Sequence, residues 1–74
     1  MNTRATDRRQ RNKLARQQII YVVDEYGLRW NYVAKKMNMD SSNLAHWRKE
    51  RFEFSFSRLK QLEDFIDGYL DKVG

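Results

Sequence analysis

The sequence predicts an all-α fold, a small domain of four to five helices, and two observations lead to that prediction. Pro is absent and Gly occurs only at positions 27, 68 and 74, so few points interrupt a helix. Apolar residues also recur at helical spacing along most of the chain. Because 74 residues are too few for two hydrophobic cores, we expect one domain over residues 13–74. Residues 1–12 are predicted to form a basic, flexible N-terminal arm.

The first helix has a clear apolar face and a clear end, but no marked beginning. One helical face is formed by Ala15, Ile19, Val22, Val23 and Tyr26. Their spacing of i, i+4, i+7, i+8 and i+11 is that of a helix with one buried side. Gly27 follows at once, where a left-handed residue commonly ends a helix.

Two short helices follow, separated by a turn around Asn38. The first is indicated by Trp30, Val33, Ala34 and Met37. It should end at Asn38, because Asn tolerates a left-handed backbone better than most residues. The second contains the apolar pair Leu44 and Trp47, with Asp40 or Ser41 as its N-cap. Two short helices joined by a turn of three to four residues form a helix-turn-helix.

The segment "FEFSFS" (52–57) alternates like a strand, yet no second strand is available to pair with it. We interpret it as a loop that precedes the last helix. With Ser55 as N-cap, Phe54 and Leu59 take the positions of a hydrophobic staple. The apolar face of the last helix is then Leu59, Leu62, Ile66, Tyr69, Leu70 and Val73.

The charge of the chain is uneven, although the net value is only +5. Six basic side chains against Asp7 give residues 1–16 a charge of +5, residues 41–58 carry +2, and residues 59–74 carry −2. Two basic blocks on one small domain suit a polyanionic partner. A solvated basic surface without a partner is the alternative.

Composition disfavours several functional classes. The chain has no Cys and a single His, and it shows no Gly-rich phosphate loop, so we expect no enzyme, no metal site and no cofactor. The absence of Cys favours a reducing compartment, and we predict a cytoplasmic, nucleoid-associated protein. The longest aliphatic or aromatic run, "IIYVV" (19–23), is too short to cross a bilayer, so no membrane association is expected.

The segment "LRWNYVAKKMNMDSSNLAHWRKE" (28–50) resembles the helix-turn-helix of Cro and cI-type phage repressors. The pair Val33 and Ala34, then Met37, Met39, Leu44 and Trp47, fall on the apolar positions of that family without a gap. The resemblance implies a transcriptional regulator that binds double-stranded DNA as a homodimer. It also implies that residues 41–51 form a recognition helix in the major groove. Trp30 stands where the family has Gln, and we interpret it as a core or interface aromatic.

The resemblance implies base contacts by the first residues of the recognition helix, Ser41 to Asn43, and the side that points away from Leu44 and Trp47 adds His46 and Lys49. The predicted base contacts are Ser41, Ser42, Asn43, His46 and Lys49. Asp40 would be repelled by phosphate and is assigned to helix capping. The predicted contacts to the DNA backbone are Arg48, Arg51 and Arg58, together with Arg8, Arg9 and Arg11 of the arm, which could also enter a minor groove.

The last helix offers more apolar surface than the core of a small domain needs, so we predict self-association there. The predicted dimer contacts are Phe65, Ile66, Tyr69, Leu70 and Val73. One alternative is a small helical protein-interaction module or inhibitor of another regulator, which binds a protein partner through its aromatic residues. Those residues are Trp30, Tyr32, Phe52, Phe54 and Phe56. Another alternative is nucleic-acid binding without sequence preference, through the basic arm alone.

Overall fold

The computed structural model describes the backbone of residues 3–73 and the side chains of residues 7–73. Over this range the chain forms four α-helices and no strand. They are α1 (Thr3–Tyr26), α2 (Trp30–Lys36), α3 (Ser41–Arg48) and α4 (Phe56–Val73). The all-α prediction is confirmed. In the alternating segment 52–57, residues 52–55 form a loop that leads into α4, and Phe56 and Ser57 already belong to the helix.

Residues 3–12, which were predicted to belong to a flexible arm, are helical in the structure and form the first turns of α1. Residues 1 and 2 lie outside the described residues. Residues 3–11 contain neither Gly nor Pro, and they extend a helix that already buries Asn12 and Ala15. Adding turns to an existing helix avoids the cost of a new nucleus.

Three helices end in the same way, with a left-handed residue followed by a hydrogen bond that closes the last turn. Gly27 has φ 66°, Asn38 has φ 55° and Glu50 has φ 63°. After each, the next amide donates back into the helix: Leu28 to Val23, Met39 to Ala34, and Arg51 to His46, at 3.1, 3.0 and 3.0 Å. These are Schellman motifs. The sequence predicts the ends at Gly27 and Asn38, but not the one at Glu50.

The two predicted N-caps have different outcomes. At the start of α4, the Arg58 amide donates to Ser55 Oγ at 3.2 Å, and both Phe54 and Leu59 are buried in the core, which confirms Ser55 as the N-cap. Asp40 occupies the N-cap position of α3, with φ −71° and ψ 141°, but its side chain makes no capping hydrogen bond within residues 7–73. Asp40 therefore holds the predicted N-cap position without the side-chain hydrogen bond of a cap.

One hydrophobic core joins all four helices. Its buried apolar residues are Ala15, Ile19, Val22, Val23, Val33, Ala34, Met37, Leu44, Trp47, Phe54, Leu59, Leu62 and Ile66. The rings of Trp47 and Phe54 stack at its centre, with centroids 4.2 Å apart and planes 5° from parallel. Ile66 is only 3% exposed, so its predicted role as a dimer contact is corrected: it packs inside the monomer.

Candidate nucleic-acid interface

Helix α3 has one buried side and one exposed side. Leu44 and Trp47 are 0% exposed and fix the buried side. The predicted base contacts, Ser41, Ser42, Asn43, His46 and Lys49, are all exposed. The structure therefore brings these five residues together on the exposed surface of α3 and of Lys49, which directly follows it. We call these five residues the α3 face.

Trp47 fixes α3 to α1 by polar as well as apolar contacts. Its indole Nε1–H donates to Asn12 Oδ1 at 2.7 Å. Its backbone carbonyl accepts from Arg16 Nε, also at 2.7 Å, and the Arg16 guanidinium lies 5.1 Å from the centroid of the indole ring. Such buried, charge-assisted contacts hold the orientation of α3 relative to α1.

Asn12 is fully buried and its side chain makes four hydrogen bonds. Besides the indole, Oδ1 accepts from the Phe54 amide at 2.7 Å. The Nδ2 group donates to the carbonyls of Phe54 at 3.1 Å and Arg8 at 2.8 Å. Nowhere in the described part of the chain is a buried side-chain polar atom left without a partner.

Sequence reasoning missed the roles of Asn12 and Arg16, although a signal was present. The positions 12, 16, 19 and 23 follow the spacing of the buried face of α1. Arg16 was counted only as part of the basic block. In the structure it is 6% exposed, and it donates to the Phe52 carbonyl at 2.8 Å and to the Glu53 carboxylate at 3.4 Å.

The exposed side chains of α3 differ in whether they are engaged within the molecule. Arg51 Nη1 lies 3.0 Å from His46 Nδ1, so these two side chains sit together at the end of the helix. Ser41, Ser42, Asn43 and Lys49 have no side-chain partner among the residues that the structure describes. Most of the α3 face is therefore free to bind another molecule.

Trp30 lies under Arg48, linking the start of α2 to the end of α3. The Arg48 guanidinium carbon is 4.0 Å from the centroid of the Trp30 ring, and Trp30 packs against the core while remaining partly exposed. The stacking holds a cation near the C-terminus of α3, where it also interacts favourably with the helix dipole.

Two of the predicted backbone contacts, Arg58 and Arg11, have partners within the protein. Arg58 Nη1 donates to the Met37 carbonyl at 2.6 Å, and Gln61 Nε2 donates to the same oxygen at 3.0 Å. Arg11 pairs with Glu63 at 2.8 Å, and its guanidinium carbon lies 5.3 Å from the centroid of the Phe56 ring. Arg58 joins α4 to the end of α2, and Arg11 joins α1 to α4.

The helical state of residues 3–12 limits how Arg8 and Arg9 could contact DNA. Both side chains are exposed and have no partner among residues 7–73. An α-helix about 10–12 Å across does not fit a minor groove about 6 Å wide. The helix itself would therefore lie outside a minor groove, and Arg8 and Arg9 could contact DNA only through their extended side chains.

An open depression lies beside the start of α3, and two of its polar residues, Asn31 and Lys35, were not among the predicted contacts. Its rim includes Asn31, Lys35, Asn38 and Ser41, all of them exposed. Asn31 and Lys35 are one turn apart on α2, a spacing that places them on the same helix face. These residues extend the hydrogen-bonding surface from α3 onto α2.

The described residues contain no cluster of three or more potential metal ligands. No helix between residues 3 and 73 combines the length and apolar character needed to cross a membrane. Comparison with known proteins found no match to this chain among family models, curated proteins or solved structures.

Proposed function

We propose that this protein is a DNA-binding transcriptional regulator of the Cro and cI type, acting in the cytoplasm on the nucleoid. The observation that carries the proposal is the α3 face. It presents five hydrogen-bonding side chains to solvent, while Trp47 on the opposite side is fixed by Asn12 and Arg16. A rigid helix with an exposed polar face is what direct readout of a major groove requires.

The side chains of the α3 face have chemistry suited to base edges. Lys49 can donate to the N7 and O6 acceptors of guanine, and Asn43 can both donate to and accept from adenine. Ser41 and Ser42 are short, so they allow the helix to lie close to the bases but reach less far themselves. We therefore propose that DNA shape contributes to sequence preference alongside direct contacts.

Cations around the α3 face would neutralise phosphates. Arg51 and Arg48 lie at the C-terminal end of α3, Lys35 lies on the adjacent rim, and Arg8 and Arg9 project from the first turns of α1. Contacts of this kind set the position of the protein on DNA and make its affinity depend on salt. We further propose that the protein binds as a two-fold dimer to two half-sites about one helical turn apart.

A binding experiment tests the proposal. DNA selected from a random pool is compared with a scrambled duplex over a salt series. We expect the selected DNA to bind at least about a thousandfold more tightly at physiological salt. Lys49→Ala and His46→Ala should change which bases are preferred. Lys60→Ala, which removes an exposed cation on α4 that pairs with Asp64, serves as the control and should leave the preference unchanged.

Two results would contradict the proposal, each in its own way. Equal affinity for both duplexes with a steep salt dependence would indicate binding by charge alone. No binding to either duplex at low salt would instead favour a protein-interaction module.

A further inference from the structure

Gly68 lies inside α4, where a glycine is unfavourable and where nothing in the monomer requires one. The helix runs from Phe56 to Val73, and glycine in a helix interior is less stable than alanine because it loses more backbone entropy. A Cβ atom built on Gly68 would have no neighbour within 4 Å in the described part of the chain. Its backbone is therefore exposed and open to close approach by another helix.

The charged residues on either side of Gly68 can pair with the same residues of a second copy of the chain. Asp64 and Lys72 lie one turn before and one turn after the glycine, and both line the same open groove as Gly68. In an antiparallel pair of α4 helices with a two-fold axis at Gly68, Asp64 of each copy is level with Lys72 of the other. Two equivalent ion pairs form, as a two-fold interface requires.

Aromatic rings provide apolar surface beside the glycine. The groove is also lined by Tyr32 of α2 and by Phe65 and Tyr69 of α4. The rings of Tyr32 and Phe65, and those of Phe65 and Tyr69, have centroids 6.2 Å apart. Tyr32 is 40% exposed in the monomer, and Phe65 and Tyr69 are partly exposed. A neighbouring helix that approaches Gly68 closely would cover these rings.

From the glycine, the paired charges and the aromatic rings, we infer that this groove binds a second copy of the same chain, through antiparallel packing of α4 on α4 around Gly68. The inference deepens the dimer that the proposed function requires and rests on it. It moves the interface away from Ile66, which is buried, to Gly68, Asp64 and Lys72, which the sequence did not single out. Phe65 and Tyr69 remain part of it.

Sedimentation equilibrium of the full chain without DNA, from micromolar to millimolar concentration, tests the inference. The unaltered protein should show a monomer–dimer equilibrium. Gly68→Ala should raise the dissociation constant of the dimer at least about tenfold, since a methyl group prevents close approach, while raising the thermal midpoint of the dilute monomer because alanine favours the helix. A single charge reversal, Asp64→Lys or Lys72→Asp, should also raise the dissociation constant about tenfold.

Mixing the two charge variants provides the sharpest result. In a homodimer of either variant, Asp64→Lys or Lys72→Asp, like charges face each other at both positions. In a heterodimer of the two variants, opposite charges face each other at both positions, so an equimolar mixture should form heterodimers. Lys13→Glu, a charge reversal at an exposed position on α1, is the matched control and should not change association.

The outcomes separate this inference from the proposed function. A protein that stays monomeric throughout, or a dimer that Gly68→Ala and the charge variants leave unchanged, would overturn the inference, even if sequence-specific DNA binding persists. A dimer that responds as expected but fails to distinguish selected from scrambled DNA would support the α4 interface and refute the regulator proposal.

Discussion

At the scale of single residues, Asn12 joins three parts of the chain through four hydrogen bonds. It connects α1 to the indole of Trp47 in α3 and to both backbone groups of Phe54 in the loop before α4. The side chain is fully buried. In such a place a polar group stabilises only because every donor and acceptor has a partner, and its removal leaves those partners unsatisfied.

Asn12→Ala is therefore expected to reduce the free energy of unfolding by about 3 kcal/mol, since the Trp47 indole N–H and the Phe54 amide would both lose their buried acceptor. Urea denaturation followed by circular dichroism measures the change. Gln10→Ala, an exposed substitution on the same helix, should stay within about 0.5 kcal/mol of the unaltered protein. If Asn12→Ala lowered the free energy of unfolding by less than about 1 kcal/mol, the hydrogen bonds of Asn12 would contribute little to stability.

Glu50, in contrast, adopts a backbone conformation that is favourable for glycine and unfavourable for a residue with a side chain. Its φ of 63° is left-handed, which costs an L-residue with a side chain roughly 1–2 kcal/mol relative to glycine. We expect Glu50→Gly to raise the free energy of unfolding by about 1 kcal/mol in the same denaturation experiment. Glu50→Gln keeps the Cβ atom and removes the charge, so it should give no such gain. Equal stabilisation by both variants would point to charge as the cause.

At the scale of the elements, α2 and α3 contact each other through Trp30 and Arg48 and are also held from outside the pair. The Met37 carbonyl at the end of α2 accepts hydrogen bonds from Arg58 and Gln61 of α4, and Trp47 of α3 is held by α1. The longer helices α1 and α4 thus act as a support that fixes how the two short helices present the α3 face. Arg58 belongs to this support.

Arg58→Ala should consequently lower the free energy of unfolding by about 1 kcal/mol, because one charge-assisted hydrogen bond to Met37 is lost while that from Gln61 remains. At a temperature where the variant is fully folded, its DNA affinity should change less than about twofold. The comparison is Arg51→Ala, an exposed cation beside His46, which should leave stability nearly unchanged and weaken binding to every duplex. If Arg58→Ala instead left stability unchanged and weakened DNA binding, Arg58 would be a phosphate contact.

The sequence predicted these elements well wherever local chemistry determines them. The ends of α1 and α2 follow from the left-handed tolerance of Gly27 and Asn38, and the start of α4 follows from the Ser55 cap. The buried side of α3 follows from the spacing of Leu44 and Trp47. In each case the signal lies within a few residues of the feature it determines.

Features that depend on distant partners could not be predicted in the same way. No sequence signal distinguishes Arg11 and Arg58 from the other arginines, yet their partners lie 52 and 21 residues away. Which arginine is free and which is engaged depends on tertiary packing. The start of α1 was missed for a related reason, because a helix anchored by its later turns can extend through residues with no capping signal of their own.

At the scale of the whole molecule, basic charge is divided between cations that bind within the protein and cations that do not. Arg11 and Arg16 are paired with Glu63 and Glu53. Arg8 and Arg9 lie close to them in sequence and on the same helix, but have no partner among the described residues. If DNA contacts the first turns of α1, Arg8 and Arg9 are the residues that would bind its phosphates there.

Arg8→Gln combined with Arg9→Gln should therefore reduce the slope of log affinity against log salt by about 2, since each lost phosphate contact removes roughly 0.9 from that slope. Affinity for all sequences should fall alike, because phosphate contacts carry no base information. Arg11→Gln on the same helix is the matched control, and we expect it to alter stability rather than the slope. A double variant with an unchanged slope would show that the first turns of α1 face away from the DNA, leaving the cations around α3 as the whole phosphate-binding surface.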